Sequence, residues 1–348
     1  MRLDLIGDVH GELPALRALL SSLGYDEALR HPEGRVPVFL GDLIDRGAHG
    51  LEVALLVAEA VAAGRALCLM GNHEYNLVGW HLKVPRFEKP KHSNEDTIAD
   101  VKARAEAWRP VLELFRALPL SLELPDLRVV HACWHRESLE ALGGRLDAPA
   151  GDNLPAGAQA GGVAAPLWEA VRHHSPFAAT ERRRDLPGPM NGQDDPPHAV
   201  LLKGFEEEAP EPFTDNDGKV RHRIRSTWWL GDRSAVLDDR PQVVGHYWNL
   251  PPVGEGRPSF MPPHPSGHEA LRRWQERTVA EHPELDGAPG RPFPRHGRRS
   301  GADDLVCVDF NGVTQTSDSV ACVGALRWPE REVVWGLAAK TGLRRAAS

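Results

Sequence analysis

Cysteine is scarce in this chain: four among 348 residues, at positions 68, 133, 307 and 322, with no Cys-x-x-Cys pair. Buried free thiols are expected at Cys68, Cys133, Cys307 and Cys322 in place of a disulfide framework. Long apolar runs are missing too, and no stretch approaches the roughly 18 residues of a membrane span. The run Met1-Arg2-Leu3-Asp4 carries charge where a secretory leader would be apolar. A reducing, cytoplasmic location and no membrane partner are therefore expected. A basic excess is also absent, with 49 acidic against 41 basic residues and a formal charge of −8. General binding to nucleic-acid phosphates, which needs a basic face, is not expected. What remains is ordinary for a soluble protein, 26% charged and 41% hydrophobic. The length allows a full core. It is read as one domain over 1–348, with Pro/Gly-rich, loop-like insertions at 143–200 and 251–300.

Three polar clusters stand out against this background: Gly7-Asp8-Val9-His10-Gly11, Gly41-Asp42-Leu43-Ile44-Asp45-Arg46-Gly47 and Gly71-Asn72-His73-Glu74. Each follows an apolar run, Leu3 to Ile6, Val36 to Leu40 and Ala66 to Met70, and each ends in metal-binding side chains. Between them lie amphipathic or apolar stretches, Glu12 to Leu23 and Leu51 to Ala63, which predict helices ending at Gly24 and Gly64. A further helix is expected over Ile98 to Leu118, broken or kinked near Pro110. Alternation of strand and helix predicts an α/β fold with right-handed crossovers and a largely parallel sheet. Two more strand-like runs, Leu127 to Val130 and Gln242 to Gly245, lead into His131 and His246. The last runs, Asp304 to Asp309, Val320 to Trp328 and Glu332 to Leu337, read as an antiparallel second sheet.

Such clusters deliver Asp8, His10, Asp42, Asn72, His131 and His246 from five strand ends to one rim of a sheet, where ligands gather in open α/β folds. Hydrolysis of a phosphate ester needs a nucleophile at neutral pH and neutralisation of charge around phosphorus. Two metals about 3.5–4 Å apart do both, acidifying a bridging water and clamping the phosphoryl oxygens. One carboxylate must bridge them. Oxygen and imidazole ligands of this kind suit manganese, iron or zinc.

The motifs resemble those of the calcineurin-like metallophosphoesterases, in the phosphoprotein phosphatase branch with its GDxHG, GDxxDRG and GNHE signatures. The resemblance covers Leu3 to about Leu139, Val243 to Trp248 and the last strands. It implies a four-layer α/β/β/α sandwich with a mixed sheet core. It implies one metal on Asp8, His10 and Asp42 and a second on Asp42, Asn72, His131 and His246. Manganese is the favoured ion, with iron or zinc as the alternatives. His73 would then protonate the leaving oxygen, Asp45 would orient His73, and Arg46 would hold phosphate oxygens. A second phosphate-binding arginine would come from Arg221, Arg223 or Arg225, with Arg223 preferred. His246 in Gly245-His246-Tyr247-Trp248 and the Ala132-Cys133-Trp134 that follows His131 are similar to the bacterial diadenosine tetraphosphatases. Asp45, which the symmetrical enzymes lack, shifts the likeness to bacterial PrpE-type phosphatases.

The expected activity is thus that of a metal-dependent phosphoric ester hydrolase acting on phosphate monoesters of the phosphoprotein serine/threonine type. A dinucleoside-polyphosphate hydrolase is the alternative, and a catalytically inactive metal-binding regulator is the alternative of another class. The substrate partner is accordingly a phosphoprotein or a nucleotide. Trp228, Trp229 and Trp248 could stack on a base, and Lys203 could approach phosphate. The remaining polar groups have plainer readings. His135, four residues after His131, is read as a surface residue or one behind the ligands. His173, His174, His264, His268, Asp194, Asp195, Asp238, Asp239 and Glu206 to Glu208 are read as solvated. Thr214 to Lys219 faintly resembles a calcium loop and is better explained as a hairpin turn at Asp217-Gly218.

Overall fold

A computed structural model describes residues 1–84, 87, 94–146, 162–168, 170–172, 177, 196–214, 220–225, 240–247, 305–311 and 320–340. The first three strands, β1 (Leu3–Ile6), β2 (Val36–Phe39) and β3 (Leu67–Cys68), are buried along their whole lengths. Burial on both faces explains why they read as short continuous apolar runs. They pair in parallel, β1 with β2 and β2 with β3. The crossovers are α1 (Leu13–Leu23) and α2 (Gly50–Ala62). Helix α1 buries Ala15, Leu16, Leu19, Leu20 and Leu23 as one stripe and stops at Gly24, whose φ of 95° favours glycine.

After β3 come α3 (Asn72–His81), α4 (Glu95–Ala103), α5 (Ala105–Ala117), β4 (Ser121–Leu124), β5 (Leu127–Val130) and α6 (Arg136–Leu146). The break expected near Pro110 falls instead at Arg104, whose φ of −121° separates α4 from α5. Pro110 lies inside α5. Its missing N–H leaves free only the carbonyl of Glu106, a residue whose side chain is 89% exposed, where water can replace the lost bond.

The chain continues through α7 (Ala165–Trp168), β6 (Val171–Arg172), α8 (His198–Lys203), β7 (Glu206–Thr214), β8 (Val220–Arg225), β9 (Gln242–Val244), β10 (Leu305–Cys307), β11 (Val320–Trp328) and β12 (Glu332–Ala339). Strands β7 and β8 pair antiparallel, as a hairpin requires. Residues 215–219, with Asp217, lie outside the described residues, as do 251–300 and Trp228, Trp229 and Trp248. So do His173, His174, His264, His268, Asp194, Asp195, Asp238 and Asp239. Within 143–200 the described part includes β6, which pairs with β4 as an edge strand.

Two five-stranded sheets result, ordered β12-β11-β1-β2-β3 and β10-β9-β5-β4-β6. The expected antiparallel second sheet is therefore corrected. Strands β11 and β12 complete the first sheet by pairing antiparallel on β1, whereas β10 joins β9 in parallel in the second. Both sheets are mixed. Ile6 and Phe39 from one and Val129 and Val243 from the other belong to one continuous apolar core, so the fold is an α/β sandwich. No helix among the described residues is long and apolar enough to cross a membrane.

The charge inside β1 has a partner at the far end of the strand from the polar clusters. Asp4, fully buried, accepts from Arg35 Nε at 2.9 Å and Nη2 at 2.8 Å, and from the Tyr25 hydroxyl at 2.6 Å. Arg35 also donates to the Leu3 carbonyl at 2.8 Å and to Glu330 at 2.9 Å, tying β1 to the turn after β11. Removing one partner of a buried pair leaves an uncompensated charge. Arg35→Met is expected to cost about 3 kcal/mol, the low end for such breaks because Tyr25 and Arg327 still face Asp4. Urea unfolding of the metal-free protein measures it.

Candidate metal centre

Parallel pairing puts the carboxyl ends of β1, β2 and β3 on one edge, and β5 and β9, also parallel, end beside them. Each strand is followed at once by a sharp backbone turn. His10, Asp42, Asp45, Arg46 and His246 all have positive φ, between 46° and 69°. Such φ values are uncommon for non-glycine residues, and their concentration here marks a functional constraint. Gly41 shows why glycine precedes a ligand: its φ is 101°, and a Cβ there would lie 2.3 Å from the Gly71 nitrogen.

Asp42 is the centre of the arrangement. Its Oδ2 lies 3.6 Å from His10 Nε2, 3.5 Å from His131 Nε2 and 3.8 Å from His73 Nε2. Its Oδ1 accepts the His73 backbone N–H at 3.0 Å. Burial would raise this carboxyl, but the cluster of imidazoles, His131 and His73 foremost, holds it well below the usual range. One buried anion facing three imidazole nitrogens is the geometry of a bridging ligand.

The imidazoles are oriented from behind. His10 Nδ1 donates to the Ile44 carbonyl and His131 Nδ1 to the Leu40 carbonyl, both at 2.8 Å. A carbonyl can only accept, so each Nδ1 carries a proton and each Nε2 faces inward, as in metal-binding histidines. His10 Nε2 is buried with no hydrogen-bond partner and stands 3.7 Å from Asp8 Oδ2. Burial, aided by Arg46 and His73, keeps His10 well below the usual histidine range and hence neutral. Burial also pulls down His131, but Asp42 and Asp8 outweigh it and push that imidazole up to about 9. His131 Nε2 is also 3.3 Å from Asn72 Oδ1. The His246 ring stacks edge-on to His131 with centroids 5.2 Å apart, and the His246 backbone N–H donates to Asp8 Oδ1 at 3.1 Å. Two groups could each hold a cation: His10, Asp42 and His73, and Asp42, His131 and His246. Inward-facing imidazole nitrogens, carboxylates and an amide oxygen suit a borderline divalent metal. All six ligands expected from the sequence thus converge.

His73 Nδ1 donates to Asp45 Oδ2, fixing its Nε2 toward the cluster. Arg46 is half-buried, and its charge is felt by His10. Arg223 stands apart from this cluster: it lies exposed on β8 and donates to the Glu206 carbonyl at 2.6 Å. Arg221 and Arg225 flank it on the same strand. Lys203 is paired with Glu206 at 3.5 Å, and His135 hydrogen-bonds Ser138 at 2.9 Å.

Two acidic residues have roles that the sequence reading missed. Glu74 turns away from the cluster, and its carboxylate accepts the backbone N–H groups of Asp42 at 2.7 Å, Leu43 at 2.8 Å and Gly71 at 3.1 Å. It is the third residue of α3, the capping-box position, so a signal for it existed. Burial, with the charge of Asp42, pushes its carboxyl up to about 7. The bond pins the turn that carries Asp42. Glu74→Gln replaces an acceptor oxygen with an amide that cannot receive an N–H. A 10–100-fold loss in manganese affinity is expected, the usual cost of disturbing a ligand's support. Calorimetric titration reads it. The second residue is Asp309, fully buried just after β10.

Comparison with known proteins finds relatives of this chain. A sequence profile described as Calcineurin-like phosphoesterase matches residues 1–196. The asymmetrical bis(5'-nucleosyl)-tetraphosphatase PrpE of Halalkalibacterium halodurans is 35% identical over 157 residues, 42% of this chain and 63% of its own length. Its counterpart in Bacillus velezensis is 37% identical over 142 residues, 38% and 56% of the two lengths. The chain thus spans about three fifths of the length of the curated relatives it matches. A solved protein serine/threonine phosphatase from Saccharomyces cerevisiae aligns with a TM-score of 0.44 and 15% identity, over 99% of this chain and 80% of that one. With a profile that covers more than half of its length, the chain belongs to the calcineurin-like phosphoesterase family.

Proposed function

We propose that the chain is a cytoplasmic phosphoric ester hydrolase working with two divalent cations, manganese in the first instance. The carrying observation is Asp42 Oδ2, placed within 3.8 Å of three imidazole nitrogens. Asp8, His10 and Asp42 would hold one cation, and Asp42, Asn72, His131 and His246 the other. Bound there, the pair would supply an activated water and neutralise charge on the phosphoryl group. The chain's own residues do the rest. Arg46 offers a planar fork of donors for phosphate oxygens. His73, with Nδ1 held by Asp45, presents Nε2 as the proton donor for the departing oxygen. An inactive regulator would have no use for that pair.

The substrate reading weighs monoesters against dinucleoside tetraphosphates, and the second gains support from the relatives, both named as asymmetrical tetraphosphatases. A parallel assay with manganese on diadenosine tetraphosphate, a phosphopeptide and an aryl phosphate tests it. The highest kcat/KM is expected on the dinucleotide. A preference for the phosphopeptide restores the monoester reading, and hydrolysis of none at full metal occupancy removes the enzyme.

A further inference from the structure

Asp309 follows β10 by two residues, and the parallel pairing of β10 with β9 brings it to the edge that carries His246. The Val308 N–H donates to the Val244 carbonyl at 2.9 Å. On the other side, a Cβ on Gly7 would lie 2.1 Å from the Val308 oxygen and 3.1 Å from the Asp309 nitrogen. The backbone at Asp309 is therefore wedged between the turn holding Asp8 and the turn holding His246. The side chain is completely buried. Its Oδ1 accepts the Asn311 N–H at 2.9 Å, but its Oδ2 has no donor. A buried aspartate kept for structure alone would have both oxygens satisfied. The groups around it are Asp8, within hydrogen-bonding reach, Asp42 and Arg46.

Asp309 thus adds a third buried carboxylate beside Asp8 and Asp42, and its unpartnered oxygen lies where a cation's charge would be felt. We infer that Asp309 is a positioning residue of the first metal site: it braces Asp8 from behind and adds a third negative charge to the position formed by Asp8, His10 and Asp42. It supports the site and does not ligate. The inference rests on the reading of that position as a metal site.

The test is Asp309→Asn in the full chain, near-isosteric and still able to accept from Asn311. Manganese binding is measured by calorimetry, and thermal unfolding is followed with manganese and with EDTA at neutral pH. One of the two manganese affinities should fall 10–100-fold, while in EDTA the variant should melt close to the wild-type temperature because Asn still accepts the Asn311 N–H. Unchanged affinities overturn the inference, as does an equal loss of melting temperature with and without metal, the mark of a merely structural residue. Should the Asn variant not fold, Asp309→Ser carries the same comparison, and failure of both to fold also overturns it. A wild-type chain that binds no manganese sinks the metal reading itself. Two manganese ions bound equally by wild type and variant sink only the role of Asp309.

Discussion

His73→Asn is expected to keep the wild-type manganese content and to lower kcat on an alkyl phosphate ester by about 10²–10⁴-fold, the usual contribution of a positioned general acid. The geometry makes this an informative result, because His73 can be read in two ways. Its Nε2 lies 3.8 Å from Asp42 Oδ2, close enough for it to be counted with His10 and Asp42 as a cation ligand. Its Nδ1 is held by Asp45, a pairing that serves a metal-bound imidazole as well as an acid. The two roles separate by measurement. A ligand's loss empties a site, whereas an acid's loss slows only the step in which the leaving oxygen needs a proton. The deficit should therefore shrink for an aryl ester with an acidic phenol, which departs unaided. Elemental analysis and kcat on the two esters decide it. Metal lost in proportion to activity would make His73 a ligand.

Asp42→Asn should be more damaging. The bound manganese is expected to fall from two ions per chain to one or fewer, with a loss in kcat/KM on the order of 10³-fold, equivalent to about 4 kcal/mol. Among the described residues, Asp42 Oδ2 is the only carboxylate oxygen set against all of His10, His73 and His131. An amide there has neither the charge nor the second free acceptor to serve two cations. The fold itself should survive. His131 is raised to about 9 chiefly through Asp42, working against burial. Without that anion the largest upward push on the imidazole is lost, and burial pulls it back down. A circular dichroism spectrum like that of the wild type, with the metal gone, is the expected pair of observations.

The convergence of the six expected ligands and the pairing of His73 with Asp45 were legible because each residue sits within a few residues of a strand end, so a local pattern carries the geometry. The same logic explains what was not legible. Asp309 has no motif around it, and its importance arises from a parallel pairing with β9 across 60 residues of chain between Val244 and Asp304. Strands β11 and β12 were recognisable as strands, but periodicity says nothing about partners. The free edge of β1 needed covering, and they cover it. Glu74 was read only as the last residue of the third cluster, although its position at the start of α3 suits it to backbone donors. Arg223 was chosen for lying between His131 and His246 in sequence. On β8 its guanidinium finds the Glu206 carbonyl. Pro110 was read as a breaker, but it lies inside α5, one turn after the exposed side chain of Glu106.

The central claim is that Asp42 joins two cations into one hydrolytic centre. Electron paramagnetic resonance of the manganese-loaded wild-type chain tests this most directly. Two ions sharing a carboxylate about 3.5–4 Å apart are exchange-coupled, and a multiline coupled spectrum is expected, to be lost in Asp42→Asn. A six-line spectrum of isolated ions alone, unchanged by that substitution, would contradict the account.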